Sequence, residues 1–393
     1  MRVLHTSDWH LGKRLGRFDR LAEASAVLDQ VCAVADERAV DLVVVSGDVF
    51  DRPSPPIDAL ELGLRTLVRL GERRPVVAVA GNHDSPELFD ALAPLLGPQR
   101  VHLVGRVARP DEGGVIGPDT LGIPARVACL PFLREGQIVD FMRDAGQWYA
   151  SYADRVARLC SALNEALMAT TGPGEVPLLT AHFLVSGVKI KGSGRRGERE
   201  LHMGAAYTAT PQAIPPGPQY VAMGHIHAPQ RVPHAPVPAE YAGSLLPLDF
   251  GEAGEEKRVV IVDVEPGNLA VAESVPLTCP RPLVRVDGTW EQIETRGDEL
   301  RDVYLDLTVE TSAVDVTLGQ RARETFPFLV NVRPRRRDAD PTAPEREPRR
   351  GRSLGDLYDA YYRREHGAEQ PPEDLLDLLR GVLEEAEAAD APA

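Results

Sequence analysis

Five short apolar runs in this chain each end in side chains that bind metal ions. Val3–Leu4 leads into Asp8 and His10, and Leu42–Val45 into Gly47-Asp48. Pro75–Ala80 leads into Gly81-Asn82-His83-Asp84, Val176–Thr180 into His182, and Tyr220–Met223 into Gly224-His225-Ile226-His227. One such residue means little, since Gly-Asp is an ordinary turn pair and a His after a strand is usually a loop residue. The same device five times over, carrying Asp, Asn and His but no Cys, defines a metal site. Oxygen and imidazole donors without thiolate favour Mn²⁺ or Mg²⁺, with iron and zinc left open. Asp8, His10, Asp48, Asn82, His182, His225 and His227 are too many for one ion and fit two that share Asp48. Two divalent ions against two carboxylates leave about two positive charges, which attract phosphate even to an acidic protein. Ions held roughly 3.5–4 Å apart activate a water and stabilise the oxygens of an in-line displacement. His83 lies beside the cluster, placed to stabilise or protonate a leaving group, with Asp84 or Asp51 to fix its tautomer.

These residues need strands that end on one edge. Leu42–Val45 is wholly apolar and mostly β-branched, as a strand buried on both faces of a parallel sheet must be. Helical spacing follows at Arg20–Arg38 (Leu21, Ala24, Val27, Leu28, Val31), at Ile57–Leu70, and at Pro86–Leu96 behind a Ser85 cap. Strand–helix alternation over residues 1–100 implies right-handed crossovers and a largely parallel sheet, whose carboxyl edge is where ligands bind. The leucines of the second and third helices exceed what one face needs. Core packing and a homodimer contact are both open to them.

Further on, residues 101–135 read as shorter strands and Gly136–Ala169 as a long helix. Gly187–Gly204 is a glycine-rich basic loop with Lys189, Lys191, Arg195, Arg196 and Arg199. It is either a solvated loop or, following His182, a contact for phosphate backbone. From Pro276 the metal-binding residues stop. Leu283–Val286, Tyr304–Val309 and Phe328–Val332 read as strands of a small α/β domain, and Arg333–Arg352 as a charged, proline-bearing linker. Leu354, Leu357, Tyr358 and Tyr361 then share one helical face, and Asp374–Glu385 forms a second amphipathic helix. Such a pair either folds back or docks on a partner.

At 393 residues, 43% hydrophobic and 26% charged, the chain is sized for two or three globular domains. No apolar run approaches bilayer length, so no membrane is expected, and MRVLHTSDWH reads as strand and ligand motif rather than signal peptide. Cys32, Cys129, Cys160 and Cys279 form no CxxC pair, which points to a reducing, cytoplasmic setting. A net charge of −15 excludes coating nucleic acid through overall charge, though not a local metal-based phosphate site.

Asp8-x-His10, Gly47-Asp48, Gly81-Asn82-His83-Asp84, His182 and Gly224-His225-Ile226-His227 together resemble the motif set of calcineurin-like metallophosphoesterases. LHTSDWHLG, GDVFDRPSPP, GRRGERELHMG, GHIHAPQ, GSLLPLDFGE and the terminal YYRREHG narrow the resemblance to the nuclease subunits that work with a coiled-coil ATPase. It covers nearly the whole chain. It implies an α/β fold: a two-sheet β-sandwich core flanked by helices (1–275), a small α/β capping domain over a DNA cleft (276–333), a linker (334–352) and a C-terminal helical pair (353–393) that docks on the ATPase. Carried over by motif, one Mn²⁺ would be held by Asp8, His10, Asp48 and His227. The second would be held by Asp48, Asn82, His182 and His225, with His83 as the catalytic histidine. The implied activity is ATP-dependent 3'–5' double-strand exonuclease and hairpin endonuclease, by a homodimer within a heterotetramer at the nucleoid. The basic loop and the linker are longer than the family pattern. The competing reading keeps the metals but makes the substrate a cyclic nucleotide or phosphoprotein, which leaves the cap and terminal helices without a purpose.

Overall fold

The computed structural model describes residues 1–134, 152–190, 208–312 and 315–336, and seven positions between 358 and 375. The chain divides into two units, Met1–Arg335 and Arg336–Ala393.

The first unit is built on two six-stranded sheets. One runs in the order Val271–Pro276, Arg258–Asp263, Arg2–Thr6, Leu42–Val45, Val76–Val79, Val101–Val104. Its last four strands are parallel, as the strand–helix alternation requires. The first two, which come from residues 258–276, are antiparallel and extend this parallel part into a mixed sheet. Those two strands form a hairpin through the tight turn Glu265-Pro266-Gly267-Asn268, Asn268 N–H donating to Glu265 O with Gly267 at φ +79°. The second sheet runs Gln230–Arg231, Ala239–Tyr241, Tyr220–Gly224, Val176–His182, Ala125–Leu130, Val115–Ile116, with its four central strands parallel. The shorter strands expected over 101–135 are therefore shared between the sheets.

Period-two alternation sorts the side chains into layers. Val3, Val44, Val77 and Val79 face the other sheet and meet Val127, Leu178, Tyr220 and Ala222. Leu4, Val43, Val45 and Ala78 point outward and are covered by the helices Leu21–Glu37, Ile57–Gly71 and Pro86–Leu96. The last is capped as its sequence requires, Leu88 N–H donating to Ser85 Oγ (3.1 Å). On the far side, Leu130, Leu179, Ala181 and Met223 pack under Val156, Leu159, Leu163 and Leu167 of the helix Tyr152–Thr170. The N-terminal part of the expected helix, residues 136–151, lies outside the described residues.

A three-stranded sheet of Leu283–Thr289, Tyr304–Thr311 and Leu329–Arg336 carries its own core around Trp290, Ile293, Leu305, Leu307, Phe326 and Leu329. The third strand does not stop at Val332 but runs to Arg336, into the stretch read as linker. Arg333 pairs with Asp306 (2.5 Å) and Arg335 with Glu310 (2.8 Å) on the neighbouring strand, which keeps the charged residues in the ladder. In the second unit Tyr358, Asp359, Tyr362 and Arg363 are helical, with Arg363 paired to Asp359 (2.9 Å). Leu354, Leu357, Tyr361 and most of 374–385 lie outside the described residues. Among the described residues no helix is long and apolar enough to cross a membrane.

Candidate metal centre

All five motif-bearing strands end on the same edge, three from one sheet and two from the other. Ser46, one residue past Val45, joins the sheets there. Its hydroxyl meets Thr180 Oγ1 (3.0 Å) and Ala222 O (3.2 Å), and its carbonyl accepts from His182 Nδ1–H (2.7 Å). The Asp8 and Asp48 turns are zipped together by Asp8 N–H to Gly47 O (2.9 Å) and His10 N–H to Asp48 O (3.0 Å). Gly47 (φ +94°) and Gly81 have no alternative: a Cβ on the first would strike the His182 ring, and one on the second the Asp48 carboxylate.

The backbone is strained where the chemistry lies. Of seven non-glycine residues with positive φ among those described, four are candidate ligands: Asp8 (52°), His10 (45°), Asp48 (52°) and His225 (98°). Each costs on the order of 1–3 kcal/mol, retained because surrounding contacts over-determine the turns.

Asp8, His10, Asp48, His182, His225 and His227 are buried, while Asn82 and His83 are half-buried. Their donors converge with lone pairs foremost. His182 Nδ1–H is taken by Ser46 O, leaving Nε2 facing Asn82 Oδ1 at 3.0 Å and Asp48 Oδ2 at 3.4 Å. His225 Nδ1 lies 2.8 Å from the same Asn82 oxygen. On the other side His227 Nδ1–H is taken by Glu252 Oε1 (3.1 Å), leaving Nε2 3.0 Å from His10 Nε2. Asp48 Oδ2 stands between the groups, 3.6 Å from His10 Nε2 and 3.4 Å from His182 Nε2. Carboxylate, amide and imidazole donors brought this close together, buried and aimed at one another, are a set that fits divalent ions. Asp8, His10 and His227 form one group able to hold an ion, and Asp8, Asp48 and His182 another.

The electrostatics agree. Burial opposes charge on Asp48, but His182, His10 and His83 outweigh it and hold the carboxyl well below its usual range. Burial likewise works against a charged His182, yet Asp48 and Asp8 raise it to about 9, so the carboxylates draw in positive charge wherever they find it. Burial pushes Asp8 up to about 6 and His10 down to about 4.

His83 stands differently. Its backbone N–H donates to Asp48 Oδ1 (2.8 Å) and its Nδ1–H to the backbone carbonyl of Asp51 (2.8 Å), with its ring edge-on to His10 at 4.7 Å. Of the two residues considered for its tautomer, Asp51 does the work, through its backbone. Asp84 is buried and instead accepts from the N–H groups of Gly81 (2.9 Å), Phe50 (2.9 Å) and Val49 (3.2 Å), tying the Asn82 turn to the Asp48 turn. Three further residues escaped the sequence reading. Phe132 stacks on His225 (5.9 Å, 26°) and meets His182 edge-on. Glu252 and Lys257 are buried behind His227. Glu252 ends the GSLLPLDFGE stretch, which was the available signal. Lys189 is exposed, its backbone N–H donating to Gln230 Oε1 (2.8 Å). Lys191, Arg195, Arg196 and Arg199 lie outside the described residues.

A calcineurin-like phosphoesterase family model matches residues 1–229, and a model described as the Type 5 capsule protein repressor C-terminal domain matches residues 279–366. The chain belongs to the calcineurin-like phosphoesterase family and is a metal-dependent hydrolase. Within that class it is similar to SbcD, the nuclease subunit of the SbcCD complex, from Bacillus subtilis (strain 168), at 31% identity over 98% of this chain and 99% of that protein. It is 31% identical to the SbcD of Rhodobacter capsulatus, over 73% of this chain and 71% of that protein. With the SbcD of Escherichia coli (strain K12) it shares 30% identity, over 79% and 78%.

Proposed function

We propose that this chain is a two-metal DNA phosphodiesterase, acting as the SbcD component of an SbcCD-type nuclease in DNA repair, recombination and replication. The observation that carries the reading is the pair of lone-pair clusters on either side of Asp48 Oδ2, 3.6 Å from His10 Nε2 and 3.4 Å from His182 Nε2. Asp8, His10, Asp48 and His227 would hold one Mn²⁺, and Asp48, Asn82, His182 and His225 the other. Bound there, the ions would supply an activated water and charge stabilisation for an in-line displacement.

The chain's own residues do the rest. Asp48 balances charge between the clusters, and Asp84 keeps their turns in register. Asp51 O holds His83 Nδ1–H, so Nε2 is the nitrogen that takes up a second proton and, in the doubly protonated ring, would offer it to the departing oxygen. Phe132 walls one side and limits water. Residues 276–333 serve as the cap, and Lys189, Lys191, Arg195, Arg196 and Arg199 contact the DNA backbone. The segment 353–393 docks on the SbcC-type ATPase, in a cytoplasmic complex containing two copies of each protein.

Similarity to nuclease subunits along nearly the full chain supports DNA over a small phosphoester as substrate. The test is hydrolysis of linear and hairpin DNA with Mn²⁺, and with chelator. Mn²⁺-dependent cleavage of both is expected. Cleavage of small phosphoesters with no action on DNA would overturn the substrate assignment.

A further inference from the structure

Behind the metal centre lies a pair of opposite charges with no access to water. Lys257 is 0% and Glu252 1% exposed, and burying such ions costs several kcal/mol each unless every lone pair and proton is used. Here one bond from each ion goes to His227. Glu252 closes the short turn Phe250–Glu252, which places its carboxylate under His227. Oε1 accepts from His227 Nδ1–H at 3.1 Å. Oε2 accepts from Lys257 Nζ (2.6 Å) and Leu248 N–H (3.1 Å), and shares the Ser244 Oγ–H proton (3.3 Å) with the nearer Leu246 O (2.9 Å). Lys257 Nζ also donates to Glu255 Oε2 (3.1 Å) and to the carbonyl of His227 itself (3.0 Å), which Ser244 N–H shares at 3.2 Å. The pair therefore holds His227 by its ring and by its backbone together.

We propose that Glu252 is a positioning residue that locks His227 in its Nδ1–H tautomer and turns Nε2 into the metal centre, with Lys257 holding the carboxylate in place. This rests on the reading of His227 as a metal ligand. The chemistry is directional. An ionised carboxylate only accepts, so a neutral His227 keeps its proton on Nδ1 and its lone pair on Nε2, 3.0 Å from His10 Nε2. Lys257 Nζ, 2.6 Å from Oε2 and as deeply buried, keeps that carboxylate ionised. His182 is oriented from behind by a neutral carbonyl instead. A carboxylate raises the basicity of a ligating imidazole more than a carbonyl does, so Glu252 strengthens the ion on the His10–His227 side selectively.

The test is Mn²⁺ titration of the full chain and of Glu252→Gln, followed by calorimetry and by the electron paramagnetic resonance of free Mn²⁺. The wild type binds two ions; fewer would refute the two-metal reading rather than this one. In the folded variant one site weakens about 10–100-fold and the other keeps its affinity. Two unchanged sites would overturn the proposal, and equal weakening of both would reduce Glu252 to a structural residue. A second measurement does not depend on the variant folding. Proton–nitrogen correlation spectra of ¹⁵N-histidine wild-type protein at pH 8 without metal, with the His227 signal assigned by its loss in His227→Gln, report the tautomer. A protonated Nδ1 and bare Nε2 are expected; a protonated Nε2 would overturn the proposal.

Discussion

His83 sits 4.7 Å, ring to ring, from a candidate ligand, and with His10 and Asp48 it forms a third group compact enough to hold an ion. Whether it donates a proton or a lone pair is decided by replacing it with Asn. His83→Asn retains the backbone N–H that donates to Asp48 Oδ1 at 2.8 Å, so the Asp48 turn stays in register. What disappears is a ring whose Nδ1–H is fixed on Asp51 O and whose Nε2 carries the mobile proton. A general acid contributes roughly 10²–10⁴-fold, or about 3–5 kcal/mol of barrier. Single-turnover cleavage of duplex DNA should fall by that factor, with KM little changed and two Mn²⁺ still bound. An activated substrate such as bis(p-nitrophenyl) phosphate, whose leaving group needs no proton, should lose less than about tenfold. Loss of one ion, or an equal loss on both substrates, would show that His83 is a ligand and refute the reasoning.

Asp84→Ala leaves the N–H groups of Gly81, Phe50 and Val49 without their acceptor; at about 1–3 kcal/mol each, stability should fall by at least about 3 kcal/mol, and an unchanged urea midpoint would show that the turns hold themselves. His5 is buried with Nδ1 on Tyr220 Oη (3.0 Å); burial, aided by Arg258, pushes it down to about 3. It is neutral when folded and charged when unfolded below pH 6.5, so its contribution falls as pH drops: between pH 7 and 5 the wild type should lose about 2 kcal/mol more than His5→Gln, and a pH-independent difference in urea unfolding would contradict this. A chain ending at Arg336 should keep Mn²⁺-dependent nuclease activity but fail to co-purify with the SbcC-type ATPase; undiminished co-purification would move the interface into the first unit.

The ligand-bearing turns were legible because each follows a short, buried apolar run, the pattern expected at the end of a core strand. Their convergence was legible as chemistry, since Asp, Asn and His recurring after such runs have one common use. Less could be read of what holds them. Asp84 works through three backbone N–H groups from two distant turns, and spacing along the chain carries no trace of that. Lys257 stands just before the apolar strand Arg258–Asp263, and only its folded neighbours show it buried against Glu252. The antiparallel strands are a hairpin closed at Gly267 that pairs with Arg2–Thr6 from the far end of the chain, and the extension to Arg336 depends on acidic partners a strand away.

The central claim is that two ions share Asp48. Crystals of the full chain soaked in Mn²⁺ and measured at the manganese absorption edge test it directly. Two anomalous peaks are expected, one among Asp8, His10 and His227 and one among Asn82, His182 and His225, both within bonding distance of the Asp48 carboxylate. A single peak, or two peaks of which one does not touch Asp48, would contradict it.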